Sequence, residues 1–425
     1  MKKTLWTFII IVLPALPGIA QNEADSLKLT LPQAEEIFLR NNLTLLSQKY
    51  NIDENAAYIK QARIWDLPSI SYQEGFFNPK TKRILQMGSY GEISFQIQQL
   101  IDIAGKHRKN AKLSMITAQN TYFEYNDLVR TLGYQLVVDF FNLYFQQKEM
   151  QIYYVGISSL QKIVYTYEQS YHAGNVAFKD VMRLKALLLN MESEKLDLLN
   201  SIDDIRHELG ILLHLNPGAV CIPLYDESGL DSFDVGSASL AQLIDTAYAC
   251  RYDLQQAQNM KKFSEFDLAY QKSLARPDLS INWGYDKMGS YVRNANFLGV
   301  GLDLPLWNRN KGNIRAAEAR IKEAQTGYDQ FALTIQHQLA ASYSKALGIE
   351  KIYKNYDKSM EGDFTLLMNG ITDSYNKKEI GLLEFSDFFE SYKDSKLQLN
   401  KLKIDRITSI ANLNFQTGKS FFNIR

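Results

Sequence analysis

The chain is written twice. The stretch PSISYQEGF at Pro68–Phe76 returns as PDLSINWGY at Pro277–Tyr285, 209 residues further on. At the same offset Leu31 meets Leu240, Gln33 meets Gln242, Leu45 meets Leu254 and Gly75 meets Gly284. At an offset of 206 Leu100 meets Leu306 and Tyr122 meets Tyr328; at 204, Ser170-Tyr171 meets Ser374-Tyr375. The order is kept and the offset shrinks in steps, as loops shorten. Collinear identity of this kind marks a duplicated architecture. The expected organisation is a leader over 1–20, a first repeat over 21–213, a linker over 214–237 and a second repeat over 238–425. Pro217, Pro223 and three glycines mark the linker.

Both halves share one grammar. A helical segment comes first, over 30–64 and again over 239–275. The proline stops it, because the residue before a proline disfavours helix. A strand, a polar loop, a second strand and a very long helix follow. Proline is absent from Thr81 to Asn216 and from Leu306 to Arg425. One helix is expected from Ala104 to about Glu168, roughly 100 Å at 1.5 Å per residue. Leu128, Leu132, Leu136, Phe140 and Leu143 recur at three and four along it, a coiled-coil-like seam. Several shorter helices with unmarked breaks are the other reading.

The strands alternate. Ile70 and Tyr72, then Phe95, then Ile281 and Trp283, then Val300 fall on apolar sets; Ser69, Ser71, Gln96, Asn282 and Gly299 fall on polar or small ones. Period two places the sets on opposite faces. Lipid outside and water inside gives this pattern, and the first set is the lipid-facing candidate. A soluble antiparallel sheet with one face on a core alternates identically.

The N-terminus bears on that choice. Lys2 and Lys3 precede the apolar run Leu5–Leu16, and Gly18 and Ala20 follow. This is the form of a cleaved secretory signal, with cleavage expected after Ala20. Equal numbers of Lys+Arg and Asp+Glu, 47 each, argue against nucleic acid as a partner. The 25 Tyr and 22 Phe suit a membrane interface as well as a core. If the strands lie in lipid, four cannot close a barrel, and open edges are costly there. Three copies would give twelve strands and leave a pore; two would give eight, which side chains fill.

This grammar, twice over, resembles the TolC or outer membrane efflux protein family. The residues that carry it are LTLPQAEEIFLRNNLTLLS with its echo ASLAQLIDTAYACRYDLQQA, the PSIS and PDLS strand entries, and YHAGNVAFKDVMRLKA at Tyr171–Ala186. The resemblance implies a mainly α fold with a small membrane β-part: a homotrimer whose strands make a twelve-stranded barrel above a long α-helical barrel. It implies an outer-membrane location with a periplasmic extension, and docking to a periplasmic adaptor (membrane fusion) protein and an inner-membrane transporter such as an RND pump. Tyr171, Gly174, Asp180 and Val181 match the first helix tip, and Tyr375 and Phe385 the second, as adaptor-docking positions. Glu384 and Asp387 match the acidic ring of the periplasmic gate. The second tip departs from the pattern at Lys378, where a glycine is expected. A ring of carboxylates at a constriction favours cations.

No chemistry competes with this. The histidines show no metal spacing, and there is no Cys-x-x-Cys, phosphate loop or nucleophile elbow. No cofactor, metal or catalytic residue is expected. Cys221 and Cys250 are either a pair or two small hydrophobes. Two functions remain: an exit duct, or a periplasmic coiled-coil scaffold with a soluble β-domain.

Overall fold

The computed structural model describes residues 26–85, 91–232, 234–288, 292–358, 370–375, 377 and 379–424. The expected leader and Lys378 lie outside them. Strand β1 is Ser26–Leu29, followed by helices α1 (Leu31–Asn41) and α2 (Leu43–Gln61). Strand β2 (Ser69–Glu74), the short hairpin β3 (Phe77–Asn78) and β4 (Arg83–Ile84), and β5 (Ile93–Ile101) lead into α3. Helix α3 runs unbroken from Lys106 to His172, 67 residues, and α4 (Phe178–Leu212) returns. After β6 (Val220–Pro223), the second half repeats the order with α5 (Leu240–Cys250), α6 (Tyr252–Leu274), β7 (Leu279–Asp286), β8 (Ala295–Leu302), α7 (Lys311–Asn355) and α8 (Leu382–Thr417).

The single helical segments expected over 30–64 and 239–275 are each two helices. The breaks fall at Asn42 (φ −62, ψ 121) and Arg251 (φ −73, ψ 118), which are equivalent at the 209 offset. Polar side chains make the break worthwhile. The Asn42 amide accepts from Leu45 N–H at 3.0 Å and donates to Leu212 O at 2.9 Å. Arg251 donates to Gln416 O at 3.2 Å. Leu212 and Gln416, 204 apart, both lie in the last turn of a long returning helix, where carbonyls lack an intrahelical partner. Both halves also open alike. Gln33 accepts the Thr30 N–H at 2.9 Å, and Gln242 accepts that of Ser239 at 3.0 Å.

The strands form one antiparallel sheet in the order β2-β5-β7-β8. The helices leading into and out of them pack in the same sequence: α2 on α3, α3 on α6, α6 on α7. Residues 214–237, read as a linker, fold as a belt. Strand β6 pairs in parallel with β1, and Cys221, Leu230 and Val235 are buried. Arg406 of α8 clasps Glu350 of α7 with two hydrogen bonds, 2.7 and 3.1 Å, donates to Leu230 O of the belt and lies over the Tyr353 ring at 4.1 Å. Glu227 of the belt accepts from Lys403 at 3.0 Å and from Lys148. Both cysteines are free, and burial pushes the Cys221 thiol up to about 11.

The core divides in two. One cluster surrounds the belt, where the expected seam residues Leu136, Phe140 and Leu143 are fully buried; Leu128 and Leu132 pack at its margin. The other lies toward the tips and joins Leu160, Leu184, Met191, Tyr375, Phe385 and Phe389. Near the first cluster sits a buried carboxyl, Asp139. Its Oδ1 accepts from Gln135 at 2.8 Å and its Oδ2 has no hydrogen-bond partner among the described residues. Burial, with the Glu208 charge adding to it against the Gln135 hydrogen bond, pushes the group from 3.8 up to about 6. Raised above its unfolded value, this acid costs nothing below pH 3.8, and its cost is fully present above about 6. Asp139→Asn, which keeps the shape of the protonated acid, is expected to raise stability by roughly 2–3 kcal/mol at pH 8 and to leave it unchanged near the unfolded value. Thermal unfolding of the detergent-solubilised protein across pH checks this; a gain independent of pH would contradict it.

Candidate functional site

Cross-strand register sorts the sheet into two faces. Ile70, Ile97, Trp283 and Leu298 form one row, and Tyr72, Phe95 and Tyr285 the next on the same face; Ile281 stands between Gln99 and Val300. All six candidate lipid-facing residues therefore share one face. Ile70, Tyr72, Ile281, Trp283 and Val300 are exposed, and Phe95 is half-buried with its ring edge-on to Trp283 at 6.2 Å. A contiguous exposed apolar patch of this kind marks an interaction or membrane surface.

The other face carries rows such as Ser69–Gln98–Asn282–Gly299 and Ser71–Gln96–Gly284–Phe297. Phe297 is the departure from alternation that sequence reading passed over. Its ring lies against Gly284, where any Cβ would collide with it. An aromatic laid across a strand glycine covers backbone that the glycine leaves bare.

At the far end of the helices the first tip is a tight reversal. Asn175 N–H closes on Ser170 O at 2.8 Å, with Gly174 left-handed at φ +74. Glycine takes that conformation without steric cost. Asp180 lies in the first turn of α4, where a negative charge favours the helix N-terminus. At the second tip Glu379 N–H closes on Ser374 O, also at 2.8 Å. These are the same two positions 204 residues on.

The tip residues divide by exposure. Tyr171 and Gly174 are exposed and Asp180 is half-exposed, so they are available to a partner. Val181, Tyr375 and Phe385 are buried. Tyr375 is stacked between Tyr167 at 5.5 Å and Phe385 at 4.4 Å. The stack through Tyr375 and Phe385 joins the two tips, and all three buried residues reach a partner only through the surface they support. This ring stack, and the Lys393–Glu194 pair at 2.8 Å between α8 and α4, were not foreseen, because each links residues some 200 apart that no local pattern couples. Glu384 and Asp387 lie one turn apart at the start of α8. Both are exposed, while Phe385 and Ser386 between them turn inward. The two carboxylates thus face away from the tip core.

No group of His, Cys, Asp and Glu among the described residues is arranged to hold a metal ion. Among them, too, no helix is long and apolar enough to cross a membrane.

A sheet with one exposed apolar face runs straight into a wall of long helices in matching order, and solved outer-membrane proteins and channels share this fold. Residues 36–213 match the family described as outer membrane efflux protein, the family that the sequence motifs resemble. Solved structures share the fold over 92% of the chain. The outer membrane protein VceC from Vibrio cholerae is 18% identical, with 92% of this chain and 97% of that chain covered and a TM-score of 0.71. The Campylobacter jejuni CmeC outer membrane channel is 16% identical over 92% and 87%, with a TM-score of 0.73. The open state of the Neisseria gonorrhoeae MtrE outer membrane channel is 14% identical over 92% and 89%, with a TM-score of 0.72. No curated protein matches the chain.

The two faces of the sheet give a direct test. Replacing Trp283 or Val300 by Arg is expected to cost roughly 2–4 kcal/mol at mid-bilayer depth and to impair assembly. Arg in place of Asn282, on the opposite face, should be tolerated. Yield of folded protein in the outer-membrane fraction reads this out, and equal losses from both faces would contradict the assignment of faces.

Proposed function

We propose that this protein is the exit duct of a tripartite efflux or export system: an outer-membrane channel, a passive conduit, that docks through its helical tips with a periplasmic adaptor and so with an inner-membrane transporter such as an RND pump. The observation that carries the reading is the sheet. Its apolar face is exposed, and the outer edges of β2 and β8 pair with no strand among the described residues. A scaffold in water would bury that face; a membrane accepts it. The VceC, CmeC and MtrE structures, described as outer-membrane proteins or channels, support the same reading by fold. The signal-like N-terminus fits an exported chain, and catalytic machinery plays no part.

Open edges in hydrocarbon leave backbone groups unpaired, at several kcal/mol each. A homotrimer answers this: β8 of one protomer pairs with β2 of the next, and twelve strands close. Mass measurement of the protein extracted in detergent tests the proposal. A trimer is expected, and a stable folded monomer, or release from membranes without detergent, would overturn it.

Closure would also bring three copies of Glu384 and Asp387 toward one mouth. Such a ring favours cations and offers multivalent ions a site. Glu384→Gln combined with Asp387→Asn should weaken cation selectivity and the block by divalent or trivalent ions in planar-bilayer recordings. If both are unchanged, these carboxylates do not line the entrance.

A further inference from the structure

Where the sheet meets the helices, the wall opens into a cavity of about 1060 Å³ between the end of α2, the start of α3 and the end of α6. Four of its lining cations, Arg63, Arg108, Lys112 and Arg276, are exposed and have no carboxylate partner among the described residues. Asp102, the carboxylate of the lining, is already engaged by the N–H groups of Ala104 at 3.0 Å and His107 at 2.8 Å. His107 and Lys109 also line it, beside two rings: Trp65 is largely exposed, and Phe266 lies under the Lys112 ammonium at 5.5 Å.

Two features fix the level of this cavity. It lies at the helix end of the strands, immediately beyond Ile101, the last residue of β5. Trp65 stands there on the first repeat, and Trp307, 94% exposed, stands just after β8 on the second. Exposed tryptophans at the ends of membrane strands mark the boundary between hydrocarbon and headgroups. Excess positive charge beside rings at that depth complements a phosphate.

We propose that this junction cavity binds the phosphate headgroup of an anionic phospholipid of the periplasmic leaflet, with its acyl chains on the apolar face of the sheet. The proposal rests on the outer-membrane reading. Basic residues near a membrane surface each contribute roughly 1 kcal/mol toward anionic lipid, and 1.4 kcal/mol is a factor of ten. Neutralising three should therefore lower the preference for anionic over zwitterionic lipid by about a hundredfold.

The test is native mass spectrometry of the detergent-solubilised protein titrated with phosphatidylglycerol or phosphatidylethanolamine. Wild type should retain phosphatidylglycerol selectively, and Arg63→Gln, Arg108→Gln and Lys112→Gln together should remove that selectivity. Lys162→Gln with Lys351→Gln, exposed charges elsewhere on α3 and α7, should keep it. The midpoint of thermal unfolding of each variant confirms folding. If the triple variant does not fold, Arg108→Gln alone should lower the preference several-fold. A detergent-dependent protein that binds both lipids equally overturns the cavity proposal and leaves the channel reading standing. Inorganic phosphate that binds wild type but not the variant, without any preference between lipids, overturns the lipid in favour of a free anion. A protein that needs no detergent fails at the earlier reading.

Discussion

The constraint on which the rest of the structure turns lies at the two outer strands of its sheet, β2 and β8. Within one chain, β5 and β7 are paired on both sides, while the outer edges of β2 and β8 pair with no strand among the described residues. In water such an edge is solvated; in hydrocarbon it must be paired. On the proposed reading the sheet therefore closes through copies of itself, and the helices follow. They pack in the same order as the strands they join, so closing one ring closes the other. A continuous duct is then a consequence of hydrogen-bond closure and needs no separate device.

Duplication reaches below the level of elements. Asn42 and Arg251 differ in size, charge and chemistry, yet both sit at a helix break and donate to a last-turn carbonyl of a returning helix. What the repeats share at this point is a requirement: an extended residue with a donor side chain. Arg251 answers it within a larger network, paired to Asp253, which also binds Arg130, whose guanidinium lies 4.2 Å from the Phe415 ring centre. The first repeat uses one amide. Here the second half has become the more ionic, and the asymmetry is greater again in the belt, where Arg406 and Glu227 hold α3, α7 and α8.

How much of this could be read from the sequence follows from the range of the interactions. Strand alternation and the proline-free helices are local, and the faces of β2, β5, β7 and β8 and the unbroken α3 appear as the pattern requires. The breaks at Asn42 and Arg251 escaped, because the partners that justify them are about 170 residues away in sequence. The belt reads as a loose connection because its Pro and Gly content is that of a loop. Its order comes from ion pairs with distant helices. At the tips, matching sequence positions found Val181, Tyr375 and Phe385, but exposure is a property of packing, and these three lie inside.

The tips show how one backbone can offer two surfaces. Both reversals close with an i to i+5 hydrogen bond of 2.8 Å, and α4 and α8 begin at equivalent residues, Phe178 and Leu382. The first turn, Ala173-Gly174-Asn175, is uncharged and leaves backbone exposed. The second carries exposed Lys377 and Glu379 on either side of Lys378, which replaces the glycine. The closing bond from Glu379 N–H to Ser374 O is kept at the second tip although its sequence lacks the glycine, so the two tips differ in surface chemistry. Around a trimer, six tips would alternate between a bare turn and a charged one. A partner gripping all six must then recognise two sites of different chemistry, and a partner that binds one site alone would sit with threefold symmetry.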